Sequence, residues 1–380
     1  MGELKQLQTH AYVVDKLGAP FVLRDVVLDE VRDDEVLIEM KYTGLCHTDI
    51  VVQQGGMPVG SYPAVLGHEG VGIVKHVGAA VENKSLSPGD AVLLSVHNCY
   101  ACRPCFEGRI GACVKATETN FLTPRLGKDN KSPISLPDGT PVHGQFFGQS
   151  SLSKLAVVAQ RSVVKIDVPR PQDLAVLAPL ACGYMTGAGT VFNVLKPTSE
   201  DTVAVLGAGA VGFAAIMAAK ESGAKAVIAL DIVEAKLQLA LSVGATHAIN
   251  TSSSKDLNTT IRAIFPSGVD KIIDTTGLPF LLNAAFKALA HDGTLALVGV
   301  PPPTADVQFN ALDLLTSCKR VIGVIEGYAD PQKVIPHLVQ LYQEGRFPID
   351  RISKTYPAEC LDEALADLKS GRTIKPILSW

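Results

Sequence analysis

Two pairs of reactive side chains stand close together in CHTDIVVQQGGMPVGSYPAVLGHEG, residues 46 to 70: Cys46 beside His47, and His68 beside Glu69. A further thiol, Cys182, sits in PLACGYMTGAGT, another glycine-rich stretch. Two thiolates and one imidazole would leave a tetrahedral zinc one open position, as in catalytic rather than structural sites. Taken singly, each residue is a weak signal, because a histidine beside glycine is more often a hydrogen-bonded structural residue. The set carries the reading.

Four more cysteines, Cys99, Cys102, Cys105 and Cys113, occupy NCYACRPCFEGRIGACVK with the spacing C-x2-C-x2-C-x7-C. Short intervals let backbone turns present three thiolates to one ion, and the longer gap, with Gly108 and Gly111, lets the chain curl back with the fourth. Four thiolates close the coordination shell, so a zinc here would be structural. Disulfides compete with this reading but suit an oxidising compartment; an iron-sulfur cluster competes too, although the spacing matches neither common ferredoxin pattern. Two zinc ions per chain are therefore expected. Cys318 and Cys360 read most simply as core thiols.

A third chemistry is written in TVAVLGAGAVGFAAIMAAKESGAKAVIALD, residues 202 to 231. An apolar run turns through Gly207, Gly209 and Gly212, continues as an alanine-rich segment and ends in a second apolar run closed by Asp231. This is strand, G-x-G-x-x-G turn, helix, strand and acid, in which the glycines permit a tight turn, close approach of a pyrophosphate and close helix packing. A carboxylate at Asp231 would accept hydrogen bonds from ribose hydroxyls and repel a 2'-phosphate, and Ile232 and Val233 are not basic, so NAD is favoured over NADP.

The elements that must position these residues fall into two kinds. VDKIIDTTG, GTLALVGV and KRVIGVI read as buried strands, with VEAKLQLALSVGA and PFLLNAAFKALAHDG as helices between them, so residues 184–326 should form a doubly wound α/β domain with a parallel sheet. Residues 1–183 and 327–380 read as a β-rich domain from VLIEMKYTG, GVGIVKHVG and AVLLSV, with TNFLTPRLGKDNKSPISLPDGTPVHGQ as a long surface loop. The tail adds two helices, PQKVIPHLVQLYQEG and CLDEALADLKSG, and the strand IKPILSW.

The 380 residues, 47% hydrophobic and 19% charged with a net charge of −4, fit two globular domains and argue against a nucleic-acid or membrane partner. The expected partner is a small molecule. The opening MGELKQLQTHAYVVDK lacks a secretory core, so a cytoplasmic location is expected.

Taken in order, GLCHTD, GHEGVGIVKHVG, PGDAV, the four-cysteine segment, HGQFFGQSS, CGYMTGAGT, GAGAVG, LVGVP and GRTIKPIL resemble the zinc-containing medium-chain alcohol dehydrogenases along essentially the whole chain, and most closely their aryl (benzyl-type) members. The resemblance implies a Rossmann NAD-binding domain joined to a GroES-like catalytic domain. It implies that Cys46, His68 and Cys182 hold the catalytic zinc, with Glu69 as acidic neighbour and Asp49 orienting the ligand histidine. Thr48 would bond the alcohol oxygen and pass on its proton. His47 and Lys375 would meet the pyrophosphate, Lys236 a ribose, and Val300, in LVGVP, the cofactor. Asp49 as a turn cap and Lys236 as an ordinary surface residue are the plainer alternatives.

The implied reaction is reversible hydride transfer between NAD and a primary alcohol, aromatic or allylic, or its aldehyde, by a homodimer or homotetramer. Two departures stand out: Val51, where many members carry the histidine that ends a proton relay, and Ser95, where relatives taking small alcohols often have an aromatic side chain, which suggests a roomier cavity. The competing functions are an NADP-linked reductase of an aldehyde or conjugated carbonyl and a non-redox NAD-binding protein.

Overall fold

The computed structural model describes residues 5–127, 129, 131–168, 170–252 and 256–380. Its contacts divide the chain into two units. The first holds the described residues up to Cys182 together with Asp330–Gln340 and Ile349–Trp380; the second holds Gly183–Ala329 and Leu341–Pro348. The expected single return at 327 is thus interrupted. Leu341–Pro348 groups with the second unit because Leu341 and Phe347 are buried and Arg346 pairs with Glu221.

Among the described residues the first unit carries two sheets. In the larger, Glu35–Gly44 is the spine: it pairs antiparallel with Gly70–Val77, Leu155–Ala159 and Lys375–Ser379. Ala91–Leu94 extends the sheet beyond Gly70–Val77. Val36, Ile38, Met40, Val74, Val92 and Leu94 fill its core, so β-branched and long apolar side chains alternate where one face must be dry. The C-terminal strand reaches this sheet, and the tail contributes a further strand, Ser353–Pro357, that the reading of two helices and one strand did not include.

The segment expected as a surface loop is built differently. Ile134–Ser135 and Pro141–Val142 pair with each other, and the former pairs with Phe21–Leu28. Arg125 is fully buried, with Nε and Nη2 donating to both oxygens of Glu35 at 2.8 and 2.6 Å. A buried guanidinium needs such a carboxylate, and the partner lies far away in the sequence, which is why composition alone reads as solvent-facing. Lys128 and Asn130 of that segment lie outside the described residues, as do Met1–Leu4 of the opening stretch.

The second unit contains a parallel sheet in the order His247–Asn250, Ala226–Asp231, Thr202–Leu206, Val269–Asp274, Leu289–Leu297, Arg320–Gly323. The strand order reverses between Thr202–Leu206 and Val269–Asp274, the point where doubly wound sheets bind ligands. Thr202–Leu206 is buried at every position, which requires an unbroken apolar run rather than an alternating one. The helix expected over PFLLNAAFKALAHDG ends at Ala288, and Leu289 already begins the next strand, whose Leu289 and Leu295 join the core. No single helix among the described residues is long and apolar enough to cross a membrane.

Candidate active site and cofactor-binding turn

Cys46 caps the helix His47–Gln53, and Asp49 on its first turn is almost fully buried. Asp49 accepts from three groups: the Cys46 and Gly67 N–H at 3.2 and 3.0 Å, and His68 Nδ1, 2.9 Å from its Oδ1. That last bond fixes the imidazole so that Nε2 points away from Asp49. Nε2 is fully buried and makes no hydrogen bond. The donor atoms of Cys46, His68, Glu69 and Cys182 lie within 4.8 Å of one another.

An orphaned buried nitrogen costs about 1–3 kcal/mol, so its place beside two thiols fits a metal donor. Two sulfurs and an imidazole are a donor set suited to zinc. Cys46 is held well below the ordinary thiol range, first by the bond from Cys182 and then, against burial, by His68 and Lys375. The thiolate is the form that binds metal. Burial depresses His68, but Asp49 and Cys46 outweigh it and hold the imidazole well above its ordinary value.

Glu69 is wholly buried and its carboxyl is pushed up to about 7 by burial, with Lys375 opposing. Lys375 Nζ lies 2.7 and 2.6 Å from the two Glu69 oxygens and donates to the Leu45 carbonyl at 3.0 Å. Gly44 makes room for this pair, since a Cβ there would lie 2.2 Å from Glu69 Oε2. Lys375, expected at a pyrophosphate, is buried and its ammonium bonds Glu69 and the Leu45 carbonyl. His47 is exposed and lines a cavity of about 550 Å³ with Phe21, Ile50, Leu365 and Lys369. Thr48 is half-buried on the same first turn.

The four-cysteine segment also converges. Cys99, Cys102, Cys105 and Cys113 are all free thiols, with Sγ separations of 3.4 Å for Cys102 to Cys105 and Cys113 to Cys99, and 3.9 Å for Cys99 to Cys105. Backbone N–H groups and Cys105 pull Cys102 down to about 6, while burial pushes Cys105 up to about 12.

In the second unit Gly207 has φ +92°, and a Cβ at Gly212 would lie 1.9 Å from the Gly207 carbonyl oxygen, so both glycines serve the turn and the packing of the helix Ala210–Glu221. Gly209 differs: a Cβ there would meet nothing within 4 Å. Open space at the N-terminus of a twelve-residue helix is where a phosphate would approach the backbone. Asp231 Oδ2 accepts from the Ala208 N–H at 2.7 Å and Oδ1 from the Val233 N–H at 2.9 Å. Lys236 is half-buried in the first turn of the next helix, Glu234–Val243, and Val300 is 48% exposed.

The alcohol dehydrogenase GroES-like domain model matches residues 32–168, and the zinc-binding dehydrogenase model matches 210–344. Geraniol dehydrogenase of Castellaniella defragrans is 37% identical over 98% of both chains. The chain belongs to the zinc-containing medium-chain alcohol dehydrogenase family. Among solved members, an alcohol dehydrogenase zinc-binding domain protein from Burkholderia ambifaria is 40% identical over 99% of both chains with a TM-score of 0.93. Benzyl alcohol dehydrogenase from Acinetobacter calcoaceticus is 38% identical over 98% of this chain and 99% of that one, with a TM-score of 0.91. The fold is accordingly a GroES-like domain with a Rossmann domain, and the family implies zinc and a nicotinamide dinucleotide.

Reading the sequence of this family member missed the aromatic side of the site. Phe147 stacks on His68 at 4.5 Å between centroids, Phe146 meets it edge-on at 5.8 Å, and Phe121 packs against both. The HGQFFGQSS segment held the signal, two adjacent aromatics beside glycine. The conformation that turns both rings inward needs left-handed φ at Gln145 and Phe147, which sequence does not announce. Ser95, read as opening a cavity, is fully buried and its hydroxyl donates to the Ala181 carbonyl.

Proposed function

We propose that the protein is an NAD-dependent dehydrogenase of aromatic or allylic primary alcohols, working reversibly, with one zinc at Cys46, His68 and Cys182 and a second at Cys99, Cys102, Cys105 and Cys113. The observation that carries this reading is the unbonded, buried His68 Nε2 between two thiols, backed by the stacked Phe147. Zinc bound there would supply Lewis-acid polarisation of the substrate oxygen, and the dinucleotide would supply the hydride acceptor.

The chain's own residues supply the rest. Asp49 orients His68, the Glu69–Lys375 pair braces the ligand segments, and Phe121, Phe146 and Phe147 pack an apolar wall against the imidazole. Thr48 would accept the hydrogen bond of the substrate hydroxyl while its own O–H points onward, and since Val51 cannot take up a proton, His47 on the same turn is the side chain of this helix that could. In the second unit, Gly209 and the helix start would meet the pyrophosphate, and Lys236 and Val300 would supply further cofactor contacts. Asp231, followed by Ile232 and Val233 rather than a base, supports NAD over NADP.

Geraniol and benzyl alcohol, the substrates named for two relatives, are the first to try. NADH absorbance should rise with either alcohol and NAD, with kcat/KM at least about tenfold lower for NADP. No turnover on a broad alcohol and aldehyde panel would overturn the reading. Eight free thiols fit a reducing, cytoplasmic setting, and the open edge strand Arg320–Gly323 suits a homodimer or homotetramer, to be checked by light scattering.

A further inference from the structure

His68 and Cys182 arrive from separate parts of the first unit, yet a buried chain of hydrogen bonds connects the backbone at one to the backbone next to the other. Gln149 is 1% exposed. Its Oε1 accepts from the Gly70 N–H at 3.2 Å, and its Nε2 donates to the His68 carbonyl at 3.0 Å and the Ser95 carbonyl at 3.4 Å. Ser95 is fully buried, and its Oγ donates to the carbonyl of Ala181, the residue before Cys182, at 2.5 Å.

Both side chains are themselves held. The Ser95 N–H donates to the Ser162 carbonyl at 2.9 Å. Gln149 stands between Gly148 and Ser150, both with left-handed φ, +71° and +51°. That unusual course is fixed by Ser150 Oγ on the Val65 carbonyl at 2.7 Å and by the Ser151 N–H on the Gly67 carbonyl at 2.9 Å. Strained backbone persists only where the surroundings over-determine it, and here the strain aims one amide at His68 and Ser95 together.

We infer that Gln149 and Ser95 are positioning residues, a buried bracket that sets the spacing of His68 and Cys182 and so governs how firmly the site holds its metal. The inference rests on the proposed metal site at Cys46, His68 and Cys182. Each side chain acts on the carbonyl of a ligand residue or of its neighbour. Groups behind the ligands commonly change metal affinity by about 10- to 100-fold.

The test measures metal release to a chelator from the full chain loaded with zinc, with the four-cysteine site as internal reference. Ser95→Ala and Gln149→Leu should each release the first-site metal about tenfold faster, leave release from Cys99, Cys102, Cys105 and Cys113 unchanged, and alter the visible absorption of the cobalt-substituted protein. Ser95→Thr, which keeps the hydroxyl, should restore slow release. If Gln149→Leu does not fold, the serine pair decides alone. Wild-type release rates and an unchanged cobalt spectrum in Ser95→Ala overturn the bracket, as does equal acceleration at both sites, which would mark general loosening. A wild-type chain that takes up metal only at the four cysteines overturns both the bracket and the metal site on which it rests.

Discussion

The two cysteine-bearing clusters solve the same problem, gathering donor atoms round a point, by opposite means. Cys99, Cys102, Cys105 and Cys113 lie in one short segment where the thiols are much of the interior: Cys105, Ile110 and Cys113 form its buried apolar cluster, with Cys99, Tyr100, Cys102 and Ala116 around them. Phe106 and Val114 on the same segment stand exposed at 78% and 72%. A lobe this small cannot bury enough apolar surface to hold itself, so a metal would be its staple. Cys46, His68 and Cys182 instead come from separate elements of a large packed unit, Cys182 from more than a hundred residues beyond the other two, braced by Asp49 and by Lys375 on Glu69. There the fold would hold the metal, whereas in the lobe the metal would hold the fold.

The sharpest way to break this contrast is to remove one thiol from each cluster. Cys182→Ser should lower kcat/KM by at least about a thousandfold, since a Lewis acid contributes several kcal/mol to such a barrier. Metal content should fall from about two ions per chain to about one, with unfolding little changed. Cys105→Ser should do the reverse: turnover per folded molecule within about threefold of wild type, and a thermal midpoint lowered by roughly 10 °C, if about 3–5 kcal/mol is lost at about 2–4 °C per kcal/mol. A midpoint shift below about 2 °C would show that the lobe needs no staple.

The bracing of the packed cluster is open to the same treatment. Lys375→Met leaves Glu69 buried without its cation and should cost about 3–5 kcal/mol in urea unfolding, whereas Lys375→Arg keeps the pair and should cost much less. Equal losses in the two variants would mean that volume rather than charge matters there.

The smallest effect concerns a buried histidine that lacks the bracing His68 enjoys. His143 is 2% exposed, neither ring nitrogen is hydrogen-bonded, and burial pushes it down to about 4. Its folded value lies below the unfolded one, so the unfolded chain binds the extra proton between about pH 6.5 and 4 and stability falls as pH falls through that window. Between pH 7.5 and 5, wild type should therefore lose about 2 kcal/mol more than His143→Phe, read from urea midpoints. Parallel losses would mean that His143 becomes solvated before the chain unfolds.

The same contrast explains what could be read in advance. The C-x2-C-x2-C-x7-C run and the G-x-G-x-x-G turn are local, and their geometry follows from spacing and from the absence of a Cβ; the parallel order of the second unit follows from alternating apolar strands and helices. Cys46, His68 and Cys182 were legible as residue types, and Asp49 as an orienting carboxylate only through the family resemblance. The loop between residues 119 and 145 was misread because the partner of Arg125, Glu35, lies in a different strand.

Sequence by itself determined the donor chemistry, the dinucleotide turn and the two kinds of domain, because these depend on residue type and short spacing. Tertiary structure alone decided that Lys375 is spent on Glu69, that Phe147 lies flat on His68, and that Ser95 and Gln149 join the His68 backbone to that beside Cys182. Each of these depends on which distant strands pack together, and burial then obliges every polar group brought in to find a partner that local sequence does not name.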